Sequence, residues 1–394
     1  MVHGWRRWYR QWHGIVLKTL RSSCSSIDNL LTQKQPLLSH VYNWIINCKR
    51  LRETSEKQRI ASPHIPLFSI GNVTFGATGK TPFVQFLLDY VLQHGKKRLV
   101  PMLLSRGYGD DEWRMLSNQF PACIMALGGD RVAIGVAKVK ELGGDGAPLS
   151  CIVLDDGLQQ WRLVKDLEIV MVDALHPLGN GLLLPWGSLR EMPRDAFARA
   201  DVVILHHANL VDTERIQDLM DNVRALMDAR KKAIIATSKL QVMGLVSAKK
   251  LLANAMSSTS GHVALERDDD LLCLDGLSVL VVCGVGNPES VELVVKKLAS
   301  WAQMEVIAFP DHHAFTETDV HDVVKRSREL QQKNSLVVLT TEKDFARARL
   351  AMQLLAEKVD LRVLQCKLEL LHNCKQVKQR IDACLSKTIE RHEQ

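Results

Sequence analysis

From residue 65 onward the chain alternates short apolar runs with longer stretches in which apolar residues recur every three or four positions. Short runs bounded by turn formers read as buried strands, and the amphipathic stretches read as helices. The runs fall at Leu67–Ile70, Leu99–Leu104, Cys123–Leu127, Cys151–Leu154, Glu168–Val172, Val202–Leu205 and Ala233–Ala236. Helical stretches separate several of them, which predicts an α/β fold: a mostly parallel sheet with helices on both faces. Residues 253–270 turn polar, with Ser257, Ser258, Thr259, Ser260 and Gly261 followed by Asp268, Asp269 and Asp270, and read as a linker. A second, smaller α/β set then begins, with runs at Val279–Cys283, Val306–Ala308, Leu336–Leu339 and Leu361–Leu364.

The region before residue 65 has a different pattern. In QPLLSHVYNWIINCKRLR, residues 35–52, the positions Leu37, Leu38, Val41, Tyr42, Ile45 and Ile46 share one helical face, and Lys49, Arg50 and Arg52 follow. Such a helix can lie in a bilayer interface or pack on the protein's own core. Residues 1–27 are rich in Arg and Ser and contain no acid, with Trp5, Trp8 and Trp12 among the bases. That composition reads as a mitochondrial or plastid transit peptide, with a plain basic tail as the alternative. The expected organisation is a leader at 1–35, the amphipathic helix at 36–55, a core domain at 56–240, a linker at 241–275 and a C-terminal domain at 276–394.

Charge sharpens this division. Residues 1–52 hold nine Lys or Arg against one acid, so this N-terminal stretch carries more than the whole net charge of +7 and the body is close to neutral. A neutral body with no basic stripe argues against a nucleic-acid partner. The nine cysteines are scattered without metal-ligand spacing, which fits reduced thiols and no structural zinc.

The strongest chemical signal is Ser69-Ile70-Gly71-Asn72-Val73-Thr74-Phe75-Gly76-Ala77-Thr78-Gly79-Lys80-Thr81-Pro82, between an apolar run and a helical stretch carrying Phe83, Phe86, Leu87, Tyr90 and Val91 on one face. Strand, glycine-bearing loop, Lys-Thr and helix are the context of a phosphate loop. Backbone N–H groups from Asn72 through Thr81 can point at phosphate oxygens, Lys80 can reach the β- and γ-phosphates of ATP, and the Thr81 hydroxyl can hold Mg²⁺. The common form of this loop has glycine where Thr74 stands. A second block, Cys151-Ile152-Val153-Leu154-Asp155-Asp156-Gly157, is an apolar strand ending in paired acids, the form in which a carboxylate holds Mg²⁺ beside the phosphates.

Taken together, these blocks resemble the tetraacyldisaccharide 4'-kinase family. The similarity extends through Ser105-Arg106-Gly107-Tyr108-Gly109, Leu154-Asp155-Asp156-Gly157-Leu158-Gln159, Gly179-Asn180-Gly181, Leu184-Pro185, Leu189-Arg190-Glu191, Cys283-Gly284-Val285-Gly286-Asn287-Pro288, Phe309-Pro310-Asp311-His312-His313 and Thr340-Thr341-Glu342-Lys343-Asp344. The family's loop also has Thr at the position of Thr74, and its membrane-contacting first helix resembles Leu37–Arg52. Gln160, Trp113 and Ala77 depart from the family's usual residues.

The resemblance implies a P-loop fold with a smaller C-terminal α/β domain. It implies a lipid kinase, in which ATP donates its γ-phosphate to the 4'-hydroxyl of an acylated glucosamine disaccharide 1-phosphate. It also implies an Asp that works with a His to activate that hydroxyl, matched here by Asp111 and His312. The ATP set is then Asn72, Thr74, Gly76, Ala77, Thr78, Gly79, Lys80, Thr81 and Arg190, and the Mg²⁺ set is Thr81, Asp155 and Asp156. Arg190 reads equally as a phosphate clamp or a surface ion pair. With the leader, the expected setting is a monomer on the inner membrane of a mitochondrion, a plastid being the alternative. A P-loop kinase of another membrane or sugar acceptor, or a nucleotide-binding module without transfer, are the competing functions.

Overall fold

The computed structural model describes residues 34–62, 64–94, 100–107, 110–144, 148–257, 274–332 and 334–393. The expected leader lies almost wholly outside these residues, as do Tyr108, Gly109 and the Ser258–Asp270 part of the expected linker. The chain begins with α1 (Leu37–Ser55), β1 (Leu67–Asn72), α2 (Lys80–His94), β2 (Val100–Ser105), α3 (Asp110–Gln119), β3 (Ile124–Leu127), α4 (Arg131–Glu141), β4 (Leu149–Asp155) and β5 (Leu167–Asp173). Then come α5 (Pro193–Arg199), β6 (Val202–His206), α6 (Thr213–Leu226), β7 (Ile234–Ser247) and α7 (Ala248–Ser257). The rest is β8 (Ser278–Cys283), α8 (Pro288–Lys296), β9 (Gln303–Ala308), α9 (Glu317–Gln331), β10 (Leu336–Thr341), α10 (Glu342–Arg347), α11 (Arg349–Lys358), β11 (Leu361–Leu370) and α12 (Cys374–Glu393). Among the described residues every expected apolar run is a strand. β7 reaches eleven residues beyond its expected end at Ala236.

The chain forms two compact units. The first comprises residues up to 106, 124–239 and 370–394, and its strands lie in the order β3-β2-β4-β1-β5-β6-β7, parallel throughout. β1, β5 and β6 are buried along their whole length, because a parallel sheet covered on both faces has no solvent side and so needs no polar alternation. One face is closed by a core that includes Met102, Leu104, Ile152 and Leu154, with Val132 and Val139 of α4. Another core gathers Val170, Val172, Val203 and Leu205 with Phe197 of α5 and Leu219 and Val223 of α6. β1 lies between β4 and β5, with Ile70 opposite Asp155 and Asn72 opposite Met171. All three strands run the same way, so the turns that follow β1 and β4 emerge on one edge.

The second unit comprises residues 107–123 and 240–369, with parallel strands in the order β11-β10-β8-β9. Its core joins Leu280, Val282, Val338 and Val363 to Val320 and Val324 of α9 and Met352 and Leu355 of α11. Helix α3, although it follows β2 in the chain, packs against α10 of this unit.

Helix α1 is tied to the first unit by its polar residues. The buried Ser39 hydroxyl donates to the Leu183 carbonyl at 3.0 Å, and the Tyr42 hydroxyl donates to the Arg190 carbonyl at 2.8 Å. Leu37, Leu38, Val41, Trp44, Ile45 and Leu51 are exposed. Of the predicted apolar face, then, Tyr42 turns inward while Leu37, Leu38, Val41 and Ile45 face out. No helix among the described residues is long and apolar enough to cross a membrane.

Candidate active site

Leaving β1, the loop first pairs with a neighbouring segment and then turns. Thr74 forms an antiparallel bridge to Leu189, flanked by Phe75 N–H donating to Ser188 O at 2.7 Å and Arg190 N–H donating to Val73 O at 2.8 Å. Extended pairing suits a β-branched residue, which explains why threonine serves where the common loop has glycine. The left-handed turns come later, at Gly76 (φ +114°) and Gly79 (φ +85°), where a side chain would be strained. Lys80 then opens α2, whose N-terminal dipole favours an anion.

The charged groups gather at this edge. Asp156, with a left-handed backbone (φ 52°), places Oδ1 2.7 Å from Nη1 of Arg190 and 3.7 Å from Nζ of Lys80. Burial alone would raise the Asp156 carboxyl, but Lys80 first and Arg190 next outweigh it and hold it below the usual carboxylate range. Asp155 Oδ2 accepts from the Ser105 hydroxyl at 3.2 Å. Asn72 is fully buried: its amide nitrogen donates to Gly76 O at 3.4 Å, while Oδ1 has no partner among the described residues. The hydroxyl of buried Thr78 has none either. The unmatched Thr78 hydroxyl can donate to a polyanionic ligand, whereas Asn72 Oδ1 can only accept. The hydroxyl of Thr81 and the carboxylates of Asp155 and Asp156 are hard oxygen donors suited to Mg²⁺. Among the described residues there is no cluster of three or more His, Cys, Asp or Glu that could hold a metal by itself.

Several side chains that sequence reading left unassigned brace this edge. Gln159 donates to Asn72 O at 3.3 Å and to Glu191 Oε1 at 2.9 Å, and its own oxygen accepts from Arg190 at 3.2 Å. Glu191 is buried and takes both oxygens' worth of hydrogen bonds from Arg199, at 2.9 and 2.8 Å. The Arg190 guanidinium also lies 4.5 Å over the Phe75 ring. Arg190 is therefore fixed in place rather than a loose surface ion pair. Arg131, buried at the start of α4, has a lowered pKa through burial first and Arg106 next, and Asp156 and Asp155 oppose that shift. In the sequence it stands in Asp130-Arg131-Val132-Ala133, which resembles a further block of the family and carries no expected catalytic role.

The second unit holds the other expected residues. His312 is exposed, has a left-handed backbone (φ 57°), and carries its Nε2 3.9 Å from Asp311 Oδ2. The adjacent His313 is instead pinned: Nε2 lies 2.9 Å from Asp319 Oδ2, the ring stacks on Phe309 at 4.6 Å, and it meets Phe315 edge-on at 5.2 Å. Asp319 also closes the capping box of α9 with Thr316. Asp111 lies in the first turn of α3, and its side chain is outside the described residues. Both its helix and His312 belong to the second unit.

With this geometry in place, the comparison with known proteins is direct. The profile of the LpxK family, tetraacyldisaccharide-1-P 4'-kinase, matches residues 35–386. The chain belongs to the tetraacyldisaccharide 4'-kinase family. It is similar to a probable mitochondrial tetraacyldisaccharide 4'-kinase of Arabidopsis thaliana, at 33% identity over 72% of each chain. It is also similar to the tetraacyldisaccharide 4'-kinase of Halothermothrix orenii, at 27% identity over 84% of this chain and 86% of that one. Among solved structures, the "apo" form of LpxK from Aquifex aeolicus in complex with ATP shares the fold, with a TM-score of 0.57 at 21% identity over 88% of this chain and 97% of that one. The chain is thus an ATP-dependent lipid A 4'-kinase.

Proposed function

We propose that this kinase transfers the γ-phosphate of ATP to the 4'-hydroxyl of an acylated glucosamine disaccharide 1-phosphate, with the loop Asn72–Thr81 as the phosphate cradle and His312 as the base. The observation that carries the reading is the position of Asp156: its carboxylate takes the Lys80 and Arg190 cations that a phosphate would take. An arriving triphosphate competes with Asp156 for both cations and frees that carboxylate. Backbone N–H groups of Thr74, Gly76, Ala77, Thr78 and Gly79 then face the phosphates, and Lys80 and Arg190 stabilise charge on the transferring group. The Thr81 hydroxyl, Asp155 and Asp156 would hold Mg²⁺, which would supply charge neutralisation for the phosphates.

The sugar hydroxyl is a weak nucleophile. His312, exposed on its left-handed turn, accepts the hydroxyl proton as the oxygen bonds to the γ-phosphorus and the bond to the β-phosphate oxygen breaks, releasing ADP. Asp111 orients that imidazole. The outward Leu37, Leu38, Val41, Trp44 and Ile45 of α1, followed by Lys49, Arg50 and Arg52, support seating at an anionic membrane surface where the acylated acceptor resides. The basic, acid-poor leader and the likeness to the Arabidopsis protein support a mitochondrial site, on the inner membrane.

The test is transfer from γ-labelled ATP with Mg²⁺ to the acylated disaccharide 1-phosphate in detergent, with the labelled position mapped on the product. Label on the 4'-oxygen in the parent, lost in His312→Ala and reduced in Asp111→Asn, is the expected result. Label on another oxygen, or full activity in His312→Ala, would overturn the assignment.

A further inference from the structure

His206 ends β6 fully buried beside the loop, and the chemistry above gives it no task. Its ring fills the space that a side chain on Gly79 would need: a Cβ built there would meet Cδ2 at 2.4 Å, Cγ at 2.8 Å and Nε2 at 2.9 Å. The imidazole is therefore the floor on which the loop turns, one residue before Lys80. Nδ1 is engaged, 2.9 Å from the hydroxyl of Ser238, itself fully buried on β7. Nε2 is buried and has no hydrogen-bond partner among the described residues. The neighbouring His207 differs in this respect, since its Nδ1 lies 2.9 Å from Asp173.

The chemistry of the ring narrows what Nε2 can do. Burial first, and His207 second, hold the His206 pKa well below the usual histidine value, so the ring is neutral, with one donor and one acceptor nitrogen. A Ser238 hydroxyl that donates to Nδ1 leaves the proton on Nε2. A loop that turns its N–H groups inward to phosphates turns carbonyls outward. A buried N–H beneath the loop is the complement of such a carbonyl. We infer that His206 is a positioning residue for the phosphate loop: held in one tautomer by Ser238, its Nε2–H donates to a loop carbonyl when the triphosphate orders the loop, and so sets the place of Gly79 and Lys80. This rests on the reading of Asn72–Thr81 as the ATP cradle.

The experiment compares the full chain with His206→Leu, His206→Asn, His206→Gln, Ser238→Ala and Lys80→Ala, measuring ATP KM, kcat at saturating ATP, and melting temperature. His206→Leu is expected to raise the ATP KM roughly five- to thirty-fold, the usual worth of one buried hydrogen bond, with kcat changed less than about threefold. Glutamine sets an amide N–H where Nε2 stood and recovers most of the affinity. Asparagine reaches Ser238 but not the loop and behaves like leucine. Ser238→Ala, which leaves the ring in place, raises KM by a few-fold and decides the matter if the leucine variant does not fold. A parental KM in folded His206→Leu or Ser238→Ala, or equal losses in the glutamine and leucine variants, would overturn the inference. Lys80→Ala binding ATP as the parent does would instead remove the cradle on which it rests.

Discussion

Each unit carries a glycine-bearing turn between a fully buried strand and a helix, and the two turns are filled differently. After β8, the Gly284 N–H donates to Asp344 Oδ2 at 3.1 Å, and Arg347 donates to the Gly284 carbonyl at 2.9 Å while pairing with Asp344. A Cβ on Gly284 would meet Arg347 at 3.0 Å and Asp344 at 3.2 Å. The chain has supplied its own anion to that turn. After β1, nothing lies within 4 Å of a Cβ built on Gly76, and Oδ1 of Asn72 and the hydroxyl of Thr78 stay unmatched among the described residues. There the internal carboxylate, Asp156, holds the cations rather than the loop N–H groups. Strand, glycine turn and helix are therefore not enough for phosphate binding. What decides is whether the turn's N–H groups are already taken.

Five substitutions can break or sharpen that contrast. The largest effect belongs to Lys80→Ala, expected to lower kcat/KM roughly a thousand-fold or more through lost charge stabilisation, whereas Lys343→Ala in the second unit leaves it within about threefold. Equal effects in steady-state kinetics would dissolve the distinction. Next is Asp344→Ala, which leaves Arg347 buried without its carboxylate; a loss of about 3–5 kcal/mol in urea unfolding is expected, with ATP affinity of the folded fraction unchanged. Arg190→Lys should cost about ten- to a hundred-fold in kcat/KM, since lysine cannot keep contacts with Asp156, Gln159 and the Phe75 face together.

The smallest effect concerns Glu342, whose carboxyl is pushed up to about 7 by burial, with the Cys366 N–H opposing. The folded state then binds the proton more tightly than the unfolded chain does. Its stabilising contribution is complete below the ordinary glutamate value of 4.5 and is lost as pH rises through about 7. Glu342→Gln should flatten the fall in melting temperature between pH 5 and 8 and gain roughly 1–3 kcal/mol at the alkaline end. An unchanged profile would count against it.

Much of this was legible in the sequence because parallel strands buried on both faces write themselves as apolar runs. β7 was the partial exception: after Ala236 it continues through Thr237, Ser238, Lys239 and Gln241, polar residues that hide a strand. Lys80, Asp155, Asp156 and Arg190 stood in motifs, and the structure brings them to one edge. The supports were not legible. Gln159 acts through both ends of one amide, Arg131 is set by burial, and His206 reaches Gly79 from a distant strand, so no local spacing records any of them. The resemblance named His312 and not His313. Only packing separates the exposed ring from the one held by Phe309, Phe315 and Asp319.

The central claim is that Lys80 and its loop deliver the γ-phosphate, and single-turnover transfer from γ-labelled ATP to the acylated disaccharide 1-phosphate tests it most directly. Parent transfer with a loss of at least about a thousand-fold in Lys80→Ala, while the variant keeps the parental melting temperature, is the predicted result. Transfer by a folded Lys80→Ala at the parental rate would contradict the account.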